Sequence, residues 1–144
     1  MIAVDTNILV YAHRIEAPWH SPANACVKSL AEGRAPWVIP WPCMHEFISV
    51  TTNPRIYKVP TPLATALSQL EFWTDSPFCV PIGESQGHLA LLASLAISAR
   101  LQGPAIHDAR IAAICLSHGV SEIWTADRDF QRFPDVKTRN PLVG

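Results

Sequence analysis

Four short apolar runs, IAVD at 2–5, WVIP at 37–40, CVPI at 79–82 and SEIWT at 121–125, are held far apart by stretches of helical character. Strands so separated cannot close as tight hairpins. Each must feed a crossover helix, which gives βαβ units and a parallel sheet covered on both faces. IAVD is apolar on consecutive residues rather than alternate ones, the pattern of a strand buried on both sides. A last strand is expected near 136–139, and Pro81 marks CVPI as a weak strand at an edge or an end.

The punctuation between these runs supports the same order. Thr6 or Asn7 is placed to cap a helix carrying Leu9, Val10 and His13. Ser21-Pro22 and Thr61-Pro62 each read as a cap followed by a first-turn proline, opening helices that run to Gly33 and to about Trp73. Pro42 opens a helix holding Glu46, Phe47 and Val50, which stops before Asn53-Pro54. Helices are also expected at 85–101 and from about 107 to Gly119, with a short helical turn at 128–131. The stretch NPRIYKVPTP at 53–62 is the one long loop. Thirteen prolines could suggest disorder, but most sit at helix starts and in loops and read as punctuation.

At 144 residues the chain is expected to form a single domain, 1–144, with a core of its own. It is 49% hydrophobic and only 16% charged, and its 11 basic residues nearly balance its 12 acidic ones. No general basic field is available for holding a polyanion, so such a partner needs a local patch or a metal. Cys26, Cys43, Cys79 and Cys115 form no C-x-x-C pair, and a core this large needs no disulfides. Reduced, mostly buried thiols are expected. An acid at position 5 and the absence of a basic leader argue against a signal peptide, and no apolar stretch approaches a membrane span. The expectation is a soluble cytoplasmic protein with no membrane partner.

With charge this sparse, the placement of the acids carries information. Functional groups of open α/β sheets gather at the carboxyl ends of the strands. Asp5 ends the first run, Asp127 follows SEIWT with Asp129 two residues on, Glu46 lies about a turn after WVIP, and Asp108 opens a helix after Gly103-Pro104. Each alone has an ordinary explanation: a capping turn, a solvated helix face, a helix N-terminal acid, a surface turn. Together at one sheet end they would raise each other's proton affinity unless a hard divalent cation, Mg²⁺ or Mn²⁺, lay between them.

The order Val4-Asp5-Thr6-Asn7, HEFISVTTNP, His107-Asp108-Ala109 and WTADRDF resembles the PIN domain, and more closely the VapC toxins of bacterial toxin–antitoxin pairs. The resemblance spans essentially the whole chain. It implies a three-layer α/β/α sandwich around a central, mainly parallel twisted sheet. It implies that Asp5, Glu46, Asp108 and Asp127 hold metal, with Asp129 as an auxiliary acid and Thr6, Asn7 and Thr125 as the hydrogen-bonding residues that orient them. It further implies Mg²⁺- or Mn²⁺-dependent hydrolysis of RNA, a homodimer, and a cognate VapB-like antitoxin whose C-terminal segment covers the acidic cleft.

Arg14, Arg55, Lys58, Arg100, Arg110, Arg128 and Arg132 are then candidates for RNA phosphates. Trp19, Trp37, Trp41, Trp73 and Trp124 are candidates for base stacking or the antitoxin groove, although Trp73 and Trp124 fit the core better. The six histidines show no pairing with a nucleophile; His107 merely adjoins Asp108. A haloacid dehalogenase-type phosphatase would need a carboxylate where Asn7 stands, and a receiver domain would need a lysine near the last strands beside an acid pair, where the chain offers Thr125 and Asp127 but no lysine until Lys137. The remaining alternative is a catalytically inactive PIN-fold interaction module with a tryptophan-rich surface.

Overall fold

The computed structural model describes residues 1–143. Five strands, β1 (Ile2–Val4), β2 (Trp37–Pro40), β3 (Cys79–Ile82), β4 (Glu122–Trp124) and β5 (Thr138–Arg139), form one parallel sheet in the order β3-β2-β1-β4-β5. Six helices accompany them: α1 (Thr6–His13), α2 (His20–Glu32), α3 (Trp41–Thr51), α4 (Leu63–Thr74), α5 (His88–Ser98) and α6 (Ile106–Ser117). None is long and apolar enough to cross a membrane.

Strand order dictates where the helices go. From β1 the chain steps outward to β2 and β3, then returns across the sheet to β4. Right-handed crossovers therefore put α1 to α4 on one face and α5 and α6 on the other. The helix neighbours follow suit: α1 lies against α2 and α3, α3 against α4, and α5 against α6. The three layers expected of the sequence are the layers observed. The reversal of direction falls between β1 and β4, and that switch point opens a crevice beyond the strand ends.

The central strands supply the core. Ala3, Val4, Val38, Ile39 and Ile123 are buried, flanked by Leu9, Val27, Phe47, Ile114, Phe130 and Phe133. β3 lies at an edge, where Pro81 costs no ladder bond on its open side.

Several boundaries differ from expectation. β1 ends at Val4, where the Asp5 side chain turns back to accept from Thr6 N, making Asp5 rather than Thr6 or Asn7 the cap of α1. α2 begins at His20 with no side-chain cap from Ser21. Thr61 does not cap α4 either; its hydroxyl is engaged by His13 Nε2 and Arg14 Nη1, both at 3.0 Å. α5 starts only at His88, behind Gly87 in a left-handed conformation (φ 83°), and β5 is confined to 138–139. The thiols are all free, with Cys43, Cys79 and Cys115 buried and Cys26 half-buried.

Candidate active site

Asp5 is the fixed point of the crevice. Its backbone N–H still donates to Trp124 O on β4, at 3.0 Å, so the carboxylate is set at the seam between β1 and β4. The side chain is buried and accepts four hydrogen bonds. Oδ1 takes Thr6 N at 2.8 Å and Cys43 Sγ at 3.5 Å; Oδ2 takes Thr125 Oγ at 2.8 Å and Asn7 Nδ2 at 3.4 Å. Thr125 is a hub in turn, because its hydroxyl also accepts from Asp127 N at 2.9 Å and Asn7 Nδ2 at 3.3 Å. Asn7 completes the frame by accepting from Ala126 N at 3.1 Å. The segment after β4 is thereby tied to the segment after β1, and Asp127 is held next to Asp5 through the Thr125 hydroxyl.

The other acids arrive from the helices. A cavity of about 260 Å³ is lined by Asp5, Thr6, Asn7, Glu46, Asp108 and Asp127, with Tyr11 and Tyr57 on its apolar side. Glu46 projects from the middle of α3 and Asp108 from the first turn of α6, so the cavity draws one acid from each of two helices and one from beyond each of two strands. Carboxylate oxygens of Asp108, Asp127 and Asp129 lie within 4.8 Å of one another. Asp129 does not line the cavity; it stands exposed on the 3-10 turn Arg128–Arg132, where its own backbone N–H donates to the capping Asp127 Oδ1.

The molecule matches the PIN domain family model over residues 2–136. Ribonuclease VapC25 of Mycobacterium tuberculosis is 33% identical over 143 residues, 99% of this chain and 100% of that protein. Ribonuclease VapC48 of the same species is 28% identical over 140 residues, 97% of each. The chain belongs to the PIN-domain family. The crystal structure of VapBC2 from Rickettsia felis bound to a promoter DNA fragment has the same fold, with a TM-score of 0.68 at 18% identity over 96% of this chain and 98% of that one.

In this PIN domain the acids disturb one another. Burial pushes the Asp5 carboxyl above its ordinary range, against the bonds from Thr125, Thr6 and Cys43, and the Asp127 charge adds to the rise. Glu46, though exposed along part of its side chain, is raised by partial burial and then by Asp5 and Asp108, with His107 opposing. Asp108 is raised by burial, Asp127 and Asp129, against the pull of Arg132. Such a set holds its charge poorly alone and suits a hard divalent cation, whose charge offsets the repulsion. The donors lining the cavity are carboxylate oxygens. They fit a hydrated, oxygen-bound ion. A soft metal fits less well, since burial and the Asp5 charge push the Cys43 thiol well above its ordinary value and keep it a donor.

Several candidates are placed elsewhere. Arg14 does not face the crevice: its side chain is 11% exposed, pairs with Glu16, donates to Val59 O and Thr61, and covers the Tyr57 ring at 4.0 Å. Arg110 is paired with Glu84. Trp37 is fully buried in β2 and Trp73 and Trp124 are buried as well, leaving Trp19 and Trp41 exposed. His107 and His45 line a separate recess of about 290 Å³ beside Glu46. Sequence reasoning missed Cys43 as a donor to Asp5, and Tyr11 and Tyr57 as cavity walls. The only available signal was that α3 must carry Cys43 and Glu46 three residues apart, on one face.

Proposed function

We propose that this chain is a VapC-type endoribonuclease, the toxin of a toxin–antitoxin pair, and that it hydrolyses RNA phosphodiester bonds with Mg²⁺ or Mn²⁺. The observation that carries the reading is the convergence of Asp5, Glu46, Asp108 and Asp127 on one cavity at the β1–β4 switch point. Its relatives' names, ribonucleases over nearly the full chain, support the substrate class.

In this reading Asp5, Glu46, Asp108 and Asp127 hold the cation, with Asp129 in reserve at the rim. When bound, the cation supplies concentrated positive charge that acidifies water and draws electron density from a phosphoryl oxygen. Thr125, Asn7 and the Thr6 N–H keep the Asp5 carboxylate oriented and ionised. The reaction forms a bond from water oxygen to phosphorus and breaks the bond from phosphorus to a ribose oxygen, which leaves with a proton. No histidine base is required of this site, and none lines the acid cavity.

The negative crevice also suits a basic side chain from an antitoxin, which would block it. Exposed apolar residues on α5, Leu89 and Ile97, support self-association as a homodimer. The inactive-module alternative has less in its favour, since three of the five tryptophans it needs at the surface are buried. The test uses purified, antitoxin-free protein and a structured RNA. Cleavage should require Mg²⁺ or Mn²⁺, stop on adding chelator, and vanish in Asp5→Asn with the fold intact; equal cleavage by that variant and wild type would overturn the assignment.

A further inference from the structure

Arg132 is the one cation within ion-pair distance of the acid cluster among the described residues. Its Nη2 lies 3.3 Å from Asp129 Oδ1 and 4.0 Å from Asp108 Oδ2, while its Nε donates to the backbone carbonyl of Asp129 at 2.8 Å. Asp5, Glu46 and Asp127 form no ion pair in the described structure. One guanidinium thus serves the rim of a crowded carboxylate site. The acids it faces are two of the three whose oxygens converge within 4.8 Å.

A divalent cation held in the cavity draws on Asp108, and where it also recruits Asp129 from the rim it draws on both carboxylates that Arg132 faces. The two kinds of bond that hold Arg132 then respond differently. Its ion pairs with Asp108 and Asp129 are exposed to competition, whereas the bond to the Asp129 carbonyl comes from the turn itself and no rearrangement of carboxylates removes it. The guanidinium would stay tethered at the rim through Nε, with Nη2 released from both carboxylates and free to act beside Nη1. A tethered planar fork beside a metal-loaded cleft is suited to a phosphate, which it meets with parallel N–H bonds that a lysine cannot supply.

We infer that Arg132 carries two loads in succession: it neutralises Asp108 and Asp129 in the metal-free protein, and on metal uptake its released guanidinium holds a non-bridging oxygen of the RNA phosphate. This rests on the nuclease reading above. It makes the residue a competitor of the metal and a helper of the substrate, so its removal has opposite effects on the two.

The experiment titrates Mn²⁺ by calorimetry into RNA-free wild type, Arg132→Gln and Arg132→Lys, then measures single-turnover cleavage of a short RNA at saturating Mn²⁺. Arg132→Gln should bind Mn²⁺ about two- to fivefold tighter, the worth of one partly exposed ion pair, and cleave on the order of 100-fold more slowly, as when one donor to a developing phosphoryl charge is lost. Arg132→Lys should keep wild-type Mn²⁺ affinity, because the charge remains, yet lose most of the cleavage rate. Unchanged or weaker Mn²⁺ binding in Arg132→Gln would reduce the residue to a brace of the turn. Tighter binding with undiminished cleavage would remove the phosphate role. Wild type that neither binds Mn²⁺ nor cuts RNA would instead sink the nuclease reading itself.

Discussion

Replacing Thr125 by valine tests the frame around Asp5 with almost no change of shape. Valine keeps the β-branch and swaps the hydroxyl for a methyl at a position that is 3% exposed. Three hydrogen bonds go: the one donated to Asp5 Oδ2, and those accepted from Asp127 N and Asn7 Nδ2. A bond to a charged acceptor is worth about 1.5–3 kcal/mol, and a stranded backbone N–H costs about 1–3 kcal/mol. Burying one more methyl returns about 0.8 kcal/mol, and Asn7 keeps its bond to Asp5. The net expectation is a loss of about 2–4 kcal/mol, or roughly 6–14 °C in melting temperature at this chain length.

The loss should also depend on pH. The Thr125 bond lowers the proton affinity of Asp5, so its contribution is present where Asp5 is ionised and fades as pH falls through the folded-state pKa. The gap between wild type and Thr125→Val should therefore narrow on acidification. Urea denaturation in chelator at neutral and acid pH measures it, with Thr125→Ser as the control that restores the hydroxyl. Mn²⁺ affinity of the valine variant should fall about 10- to 100-fold, the usual cost of losing a group that orients a ligand. A valine variant as stable as wild type, or a serine variant as damaged as valine, would refute the reasoning.

Glu46→Gln should act in the opposite sense on stability. Glu46 has no hydrogen bond or ion pair among the described residues and feels burial, Asp5 and Asp108; the variant should gain up to about 1 kcal/mol in chelator, after allowing for solvent screening, and lose its Mg²⁺-induced stabilisation, and a destabilised variant would count against the crowding. Asp5, Glu46 and Asp108 are all raised above their ordinary values. Their combined contribution to stability is therefore present below the unfolded pKa values and lost as pH rises through the folded ones, while metal affinity climbs over that window as protons leave. Melts with and without Mg²⁺ should show a larger metal increment at pH 7 than at pH 5; equal increments would contradict this. Expression without an antitoxin should slow growth and Asp108→Asn should relieve it, as growth curves would show; undiminished toxicity would remove Asp108 from the site.

The parallel strands and the acid-bearing strand ends were legible because they depend on local pattern, whereas the order of the strands in the sheet was not. Widely spaced apolar runs force crossovers, and an acid at the end of a buried run points at the crevice whatever the packing details. Caps were less legible: Asp5, Thr6 and Asn7 are all competent, and the choice fell to Asp5 only because β1 hands its N–H to Trp124. Thr61 looked like a cap, but its hydroxyl is claimed by His13 and Arg14, which no local pattern reveals. Arg14 looked like a surface cation for the same reason, until its stacking on Tyr57 and its pairing with Glu16 are seen. Trp37 shows the limit from the other side, since a tryptophan in a central strand of a doubly covered sheet has no route to solvent.

The most direct test is a crystal soaked in Mn²⁺ and measured for anomalous scattering. The account predicts a manganese peak in the cavity at the β1–β4 seam, coordinated by carboxylate oxygens of Asp5 and of at least one acid from α3 or α6. A peak on some other surface with Asp5 left uncoordinated, or none at saturating Mn²⁺, would contradict it.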